Sequence, residues 1–175
     1  DTNRIFLTGL SLGGGGVWKY ASASLGNAMK FAAIAPVCGT CAISNACNLA
    51  NANLPVWAFH AQDDGFVGAG CTTSSIQAIN NCNPVAKPLM TIYSNGGHFI
   101  WDRSYDTVYN WQNPNIYEWF LGQNKSLPVN TAPVANAGSD ITISLPATTA
   151  TIYANCSIVL YGTIVLYLWR KISGP

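Results

Sequence analysis

The feature that most constrains the fold of this chain is the pentapeptide GLSLG at residues 9–13, directly behind the apolar run at residues 4–8. This G-x-S-x-G spacing is typical of a sharp turn between a β-strand and an α-helix. The two glycines keep Cβ atoms away from such a turn, so Ser11 can sit at its apex in a strained conformation with an exposed hydroxyl. Because the same pentapeptide occurs by chance in glycine-rich surface loops, the surrounding residues decide between the two interpretations.

The surrounding sequence predicts alternating strands and helices up to about residue 122. Short apolar runs without polar alternation indicate parallel strands buried on both faces, and their alternation with helical patterns indicates an α/β fold. We place strands at residues 5–8, 31–37, 54–61 and 88–94, and helices at residues 17–26, 71–81 and 115–121. Gly26-Asn27 predicts the end of the first helix. The inward-facing helical residues are predicted to be Ile76, Ile79, Ile116, Trp119 and Phe120.

Composition excludes several classes of partner. The net charge is +1 and charged residues make up only 9% of the 175 residues, which argues against nucleic acid or an anionic surface as partner. No run of 18 or more apolar residues occurs, so the sequence predicts no membrane-spanning helix and no membrane partner.

Six cysteines allow two interpretations. The spacing C-x-x-C-x5-C could supply zinc ligands, but the nearby histidines do not complete a finger-like pattern. Disulfides are favoured, because low Lys and Glu content with abundant Asn and Thr is typical of an extracellular protein. The preferred pairs are Cys71 with Cys82 and Cys41 with Cys47, and Cys38 is predicted to be a buried free thiol.

A serine hydroxyl needs a base within hydrogen-bond reach and an acid that orients the base. His98 lies in a glycine-flanked loop after the fourth predicted strand, where parallel sheets place their sites, so we assign it as the general base. The alternatives for His98 are a polar loop residue and a metal ligand. The acid is Asp64 or Asp63, and the spacing H-x-x-x-D-x-x-V favours Asp64. The other histidine, His60, is expected to brace the strand end or its loop.

The remaining candidates concern the oxyanion and the substrate. The backbone N–H of Leu12 follows the nucleophile and is expected to be one oxyanion donor, with the other on a loop that would precede residue 1. Aromatic residues cluster after His98. They either pack helix and loop, or form a wall for an aromatic or sugar-bearing ester, in which case Phe99 and Trp101 bind substrate.

Three segments together, residues 9–14, 55–67 and 96–102, resemble the carboxyl half of an α/β hydrolase. The resemblance is strongest to secreted enzymes similar to polyhydroxybutyrate depolymerases, feruloyl esterases and carboxylesterases. It implies ester hydrolysis through an acyl-enzyme, without cofactor or metal, on polysaccharide-linked or polyester substrates. It places Ser11, Asp64 and His98 at the positions of a catalytic triad. It also implies about four parallel strands in sequential order, with the strand before Ser11 as an exposed edge.

The carboxyl-terminal part resembles a different family. Residues 133–152 and 162–175 are similar to a PKD-type immunoglobulin-like repeat, which implies a partial all-β tail. The expected organisation is an α/β-hydrolase domain at 1–122 without its amino-terminal part, a linker at 123–132 and the partial repeat at 133–175. Both ends are interpreted as cuts in a longer secreted protein, whose other domains would be its partners.

Two other functions remain open at this stage. The chain could be a non-catalytic carbohydrate-binding or adhesion fragment, with the serine turn as a structural relic and the aromatic cluster as the ligand surface. It could also be a peptidase or lipase, because all these hydrolases share the same three residues.

Overall fold

The computed structural model describes residues 1–126 continuously and, beyond them, only residues 136, 139, 141, 142, 144, 149, 151 and 157. The chain divides into two units, Asp1–Val129 and Asn130–Pro175. Apart from those single positions, the predicted PKD-type tail at 133–175, with Cys156, lies outside the described residues, as does the predicted linker beyond residue 126.

Four parallel strands form one sheet in the order β1-β2-β3-β4. They span Phe6–Leu10 (β1), Ala33–Val37 (β2), Trp57–Ala61 (β3) and Leu89–Tyr93 (β4). The inner strands β2 and β3 are buried along their whole length, as expected when helices cover both faces of a sheet. Within the described residues β1 pairs only with β2 and so forms an edge. The predicted α/β fold with sequential strand order is therefore confirmed.

Helices connect the strands and flank the sheet. They span Leu12–Ser22 (α1), Leu25–Ala28 (α2), Ala46–Asn51 (α3), Gly70–Asn81 (α4), Trp101–Ser104 (α5) and Ile116–Leu121 (α6), and a single 3₁₀ turn covers Thr2–Arg4. The sequence did not predict α3 and α5, which are short. Helix α1 begins immediately after Ser11, five residues before its predicted start. None of the helices in the described part of the chain combines the length and apolar character needed to cross a membrane.

The predicted stop at Gly26-Asn27 is wrong, because both residues lie in α2. Helix α1 ends earlier, at Ser22, whose hydroxyl donates back to the carbonyl of Trp18 at 2.6 Å. Ser24 then starts a new helix, since its side-chain oxygen accepts the backbone N–H of Asn27. A capping serine thus begins α2 where the glycine predicted an end.

Each face of the sheet has its own hydrophobic core. One core includes the buried Trp18, Ile34, Leu49, Val56, Ile76 and Ile79, and the other includes Val37, Phe59, Ile100, Ile116 and Phe120, with Trp119 packed against it. The predicted inward residues of α4 and α6 are therefore confirmed.

Two disulfides join the segment that includes α3 to α4. They are Cys41–Cys71 and Cys47–Cys82, so both predicted pairs are wrong. Residues 71 and 82 lie at opposite ends of α4, about 16 Å apart along its axis, which is too far for a disulfide. The prediction of Cys38 as a buried free thiol is confirmed. Two disulfides are typical of a protein that folds in an oxidising environment.

Candidate active site

Ser11 occupies the turn between β1 and α1 with φ 55° and ψ −120°. A positive φ is unfavourable for a residue with a side chain, so the surrounding structure has to hold Ser11 in place. Its backbone N–H donates to the carbonyl of Val37 at 2.9 Å, which ties the turn to the carboxyl end of β2. The hydroxyl is thereby held at the edge of the sheet where the strands end.

Two glycines at this turn have no room for a side chain. A Cβ on Gly9 would lie 2.8 Å from the carbonyl group of Gly13, and one on Gly14 would lie 2.7 Å from the carbonyl oxygen of Val37 and 2.8 Å from Cα of Gly39. A Cβ on Gly13 would meet nothing within 4 Å. The expectation that Gly13 is needed for its own lack of a side chain is therefore wrong: its backbone is what Gly9 approaches.

The structure brings Ser11, His98 and Asp64 together at this edge. Asp64 follows β3 and His98 follows β4, so both lie beyond the carboxyl ends of adjacent strands. His98 Nε2 is 2.7 Å from Ser11 Oγ, and His98 Nδ1 is 2.8 Å from Asp64 Oδ2. Both Asp64 and His98 are buried. Three residues spread over 87 positions of the chain thus form one continuous hydrogen-bonded chain.

These contacts assign the protons. The ionised Asp64 carboxylate only accepts, so Nδ1 of His98 carries the proton and donates it to Asp64. Nε2 of His98 then presents a lone pair, which accepts the hydroxyl proton of Ser11. In this tautomer His98 can remove the proton from Ser11 as the serine oxygen attacks an electrophile.

The environment of Asp64 keeps its carboxylate ionised. Burial acts to raise the pKa of Asp64, but the hydrogen bond from His98 and the backbone N–H groups of Val67 and Phe66 outweigh it and hold the pKa below its ordinary value. Both backbone donors lie 2.9 Å from Oδ1. Hydrogen bonds that favour the charged form act in this way. Asp64 is therefore a fixed negative charge beside the imidazole.

Asp63, the alternative acid, has a different position. Its exposed carboxylate accepts the backbone N–H of Gly97 at 2.8 Å and that of Gly96 at 3.2 Å. The N–H of Gly97 is the main cause of a pKa of Asp63 below its ordinary value. Both glycines have positive φ angles, and a Cβ on Gly96 would lie 2.6 Å from the side chain of Ile100. Asp63 thus supports the backbone of the loop that carries His98.

Leu12 is the first residue of α1, so its backbone N–H has no acceptor within the helix. This N–H directly follows Ser11 and lies at the positive end of the helix dipole. It can therefore donate to a negatively charged oxygen that forms next to Ser11. The Leu12 side chain itself is 80% exposed.

An aromatic cluster, of which two members are exposed and Trp101 is half-buried, adjoins the imidazole of His98. The rings of Phe66, Phe99 and Trp101 lie with their centroids 5.4, 5.8 and 6.3 Å from the His98 ring. Phe66 is 77% exposed and Phe99 is 61% exposed, an unusual degree of exposure for large apolar side chains. Phe66 was not among the predicted site residues, although its position two residues after Asp64 in the same turn was the available signal.

The other aromatic residues after His98 have structural contacts. The Tyr105 hydroxyl is hydrogen-bonded to the Thr8 side chain, and Trp111 stacks on the Arg103 guanidinium at 4.2 Å. Arg103 in turn donates to the carbonyl of Asn95 at 2.6 Å, beside the His98 loop. These residues pack the loop and α5, in agreement with the first of the two interpretations given for the cluster.

Among the described residues, one group could supply three metal ligands: Cys38, His60 and Asp64, whose ligand atoms lie within 4.8 Å of one another. Nε2 of His60 lies 2.8 Å from the carbonyl oxygen of Val67, which only accepts, so this nitrogen carries a proton and offers no lone pair to a metal. Burial, followed by the negative charge of Asp64, raises the pKa of Cys38 to about 12. The hydrogen bonding thus fits a support for Asp64 better than a metal centre.

Three solved structures are similar to this chain. A thermostable esterase superposes with a TM-score of 0.53 at 28% identity, over 71% of this chain and 32% of that one. A Klebsiella pneumoniae protein provisionally assigned as a dienelactone hydrolase gives a TM-score of 0.48 at 18% identity, over 70% of this chain and 53% of that one. The Pyrococcus horikoshii acylaminoacyl peptidase gives 0.47 at 16% identity, over 59% of this chain and 21% of that one.

The superposition on the thermostable esterase shows that residues 1–126 adopt the α/β-hydrolase fold. The chain spans about a third of the length of the thermostable esterase. No protein-family model matches the sequence, and no curated protein matches it either.

Proposed function

We propose that this chain carries the reactive residues of a serine hydrolase that cleaves carboxylic esters through an acyl-enzyme. The observation that supports this most directly is the hydrogen-bonded chain from Ser11 Oγ to His98 Nε2 at 2.7 Å and from His98 Nδ1 to Asp64 at 2.8 Å. The similarity to a thermostable esterase at 28% identity favours an ester over an amide as the substrate.

The geometry supports a two-step reaction. Ser11 Oγ attacks the ester carbonyl carbon while its proton passes to His98 Nε2, and Asp64 stabilises the imidazolium. The backbone N–H of Leu12 donates to the carbonyl oxygen as it becomes negative. The alcohol leaves with the proton from His98, and an acyl group remains on Ser11. Water then attacks this acyl group with His98 again as the base, which releases the acid and restores Ser11.

The aromatic cluster beside His98 is the proposed contact for the substrate. Phe99 and Trp101 would form an apolar wall beside the reacting atoms, which suits an ester with a large apolar or aromatic group, whether it is attached to a polysaccharide or part of a polyester. The two disulfides support action outside the cell. The proposed chemistry requires no cofactor.

Labelling with a fluorophosphonate tests the nucleophile directly. The full chain should be labelled on Ser11, as mapped by peptide mass spectrometry, and should hydrolyse p-nitrophenyl acetate. Ser11→Ala should remove the label and reduce turnover to the rate of the buffer. Equal turnover by Ser11→Ala would refute the proposal, and binding of a polysaccharide without labelling would support the carbohydrate-binding alternative instead.

A second measurement tests the substrate wall. Phe99→Leu should raise KM for esters of aromatic acids several-fold and leave KM for the acetyl ester unchanged, because only the larger acyl group would reach the ring. An equal change for both esters would show that Phe99 does not select the substrate.

A further inference from the structure

His60 is the histidine that the proposed reaction does not use, yet it has more hydrogen-bond partners than the proposed base. It lies in β3 and has no exposed surface. Its Nδ1 is 2.8 Å from Thr72 Oγ1, and its Nε2 is 2.8 Å from the carbonyl oxygen of Val67 and 3.1 Å from Asp64 Oδ2. A buried imidazole with three partners, one of them the proposed catalytic acid, is more than a packing residue.

The partners of His60 determine its tautomer. The carbonyl of Val67 can only accept, so Nε2 carries the proton and shares it between Val67 and Asp64. The lone pair then lies on Nδ1 and accepts the hydroxyl proton of Thr72. One donor and one acceptor are what a neutral imidazole offers, and these partners use both.

The same contacts fix Asp64. Its Oδ1 is held by two backbone N–H groups of its own turn, whereas Oδ2 accepts from the rings of His98 and His60. His60 also binds Val67, the residue at which this turn ends, so one ring anchors both the carboxylate and the backbone that carries it. Loss of this donor would remove one of the two ring N–H groups that bind Oδ2.

We propose that His60, held by Thr72, is a positioning residue that acts through Asp64 on His98. This inference rests on the proposed function. The neutral ring directs Asp64 Oδ2 towards His98 without adding a positive charge that would compete with the imidazolium of His98. The other titratable group packed against His60 and Asp64 is the Cys38 thiol, which is uncharged.

Nuclear magnetic resonance reads this arrangement without any turnover. The chain has two histidines, so ring ¹⁵N spectra of the full chain contain two ring systems, and His60→Gln identifies which is which. His60 should show the Nε2–H tautomer, and the Nδ1 proton of His98 should resonate far downfield because of its bond to Asp64. An Nδ1–H tautomer for His60 would overturn the proposal.

Variants test whether the effect reaches the reaction. His60→Leu should lower kcat about 10- to 100-fold with KM unchanged, the range expected for loss of a hydrogen bond to a charged group, and should shift or broaden the His98 Nδ1 proton signal. His60→Gln retains an N–H at the place of Nε2 and should recover most of kcat. A folded His60→Leu with unchanged kcat and an unchanged His98 signal would overturn the proposal.

Thr72 provides a second test if His60→Leu does not fold. Thr72→Val should weaken the Nε2–H tautomer of His60, and Thr72→Ser should restore it, because Ser retains the hydroxyl. Thr73→Val, the same change one residue along α4 at an exposed position, is the matched control and should change neither spectrum nor kcat. A Thr72→Val spectrum equal to that of the control would contradict the proposal. A chain with the expected spectra but no esterase activity would refute the proposed function and leave the positioning of Asp64 in place.

Discussion

Replacement of Asp64 with Asn would keep the shape of the side chain and remove an acceptor. Four N–H groups donate to the carboxylate: the backbone N–H groups of Phe66 and Val67 to Oδ1, and the imidazoles of His60 and His98 to Oδ2. An amide has a single acceptor oxygen. If the amide oxygen faced the imidazoles, the amide N–H groups would point at the two backbone donors. We therefore expect the amide oxygen to stay with the backbone N–H groups and the amide nitrogen to face His98.

This orientation would reverse the proton assignment of His98. Because the amide N–H is a donor, Nδ1 of His98 must present a lone pair to it. The ring proton then moves to Nε2 and points at Ser11. The imidazole could then no longer accept the serine proton. In a Ser-His-Asp enzyme this change of tautomer costs about 10⁴ in kcat. We expect a loss of about 10³- to 10⁴-fold, or about 4–5 kcal/mol of transition-state stabilisation.

The assay is hydrolysis of p-nitrophenyl acetate by the full chain, with the fold checked by circular dichroism. Asp63→Asn is the matched control, since it removes the same charge one residue earlier and keeps an amide oxygen for Gly97. It should lower kcat no more than about fivefold, because an exposed contact contributes little. A folded Asp64→Asn within tenfold of the unmodified chain, or equal losses for the two variants, would refute the role assigned to Asp64.

Three further predictions concern packing, disulfides and pH. Gly16→Ala should raise the free energy of unfolding by about 0.5–1 kcal/mol, because a Cβ there meets open space. Gly14→Ala should lower the free energy of unfolding by about 1 kcal/mol or more, because a Cβ there would meet the backbone. A urea titration in which both variants are more stable would contradict the close packing of α1 on β2. Cys47→Ser/Cys82→Ser should cost about 3–4 kcal/mol, because this disulfide closes a separation of 35 residues, and an unchanged thermal midpoint would contradict this. Because its pKa is lower in the folded chain, Asp64 contributes folding stability that is complete above about pH 5 and is lost as the pH falls from about 4 through that pKa. In urea titrations Asp64→Asn should therefore lose less stability at low pH than the unmodified chain. An equally steep loss would show that Asp64 is not its cause.

Local composition predicted the strands because the inner ones are buried on both faces. Residues of β2 and β3 have to be apolar at every position, and such runs are visible in the sequence. The start of α1 was predicted too late, since glycine has low helix propensity. In the structure Gly14 lies against the carbonyl of Val37, and this close packing provides stability that propensity alone does not.

Features that depend on which segments become neighbours were predicted less well. The predicted pairs, Cys41 with Cys47 and Cys71 with Cys82, each lay within one short stretch of the chain, whereas the actual pairs join a loop and α3 to α4, across separations of 30 and 35 residues. The positions of Ser11, Asp64 and His98, by contrast, could be predicted, because each follows a parallel strand and the carboxyl ends of parallel strands lie at the same edge of the sheet. Phe66 was missed because its place in the turn after Asp64 was visible in the sequence, whereas the direction of its ring, towards His98, was not.

Two consecutive aspartates hold His98 in place: Asp64 binds its ring, and Asp63 binds the backbone of its loop. Asp64 accepts the Nδ1 proton of the ring, while Asp63 accepts two N–H groups of the loop that carries it, so one turn after β3 holds the residue at both ends. Ser11 is held separately, by its N–H bond to Val37 at the end of β2. The distance between the serine oxygen and the imidazole therefore depends on the spacing of β2 and β3, the two strands buried along their whole length. Because such strands are the least mobile part of an α/β domain, the strained serine and its base can stay aligned even though β1 is an edge.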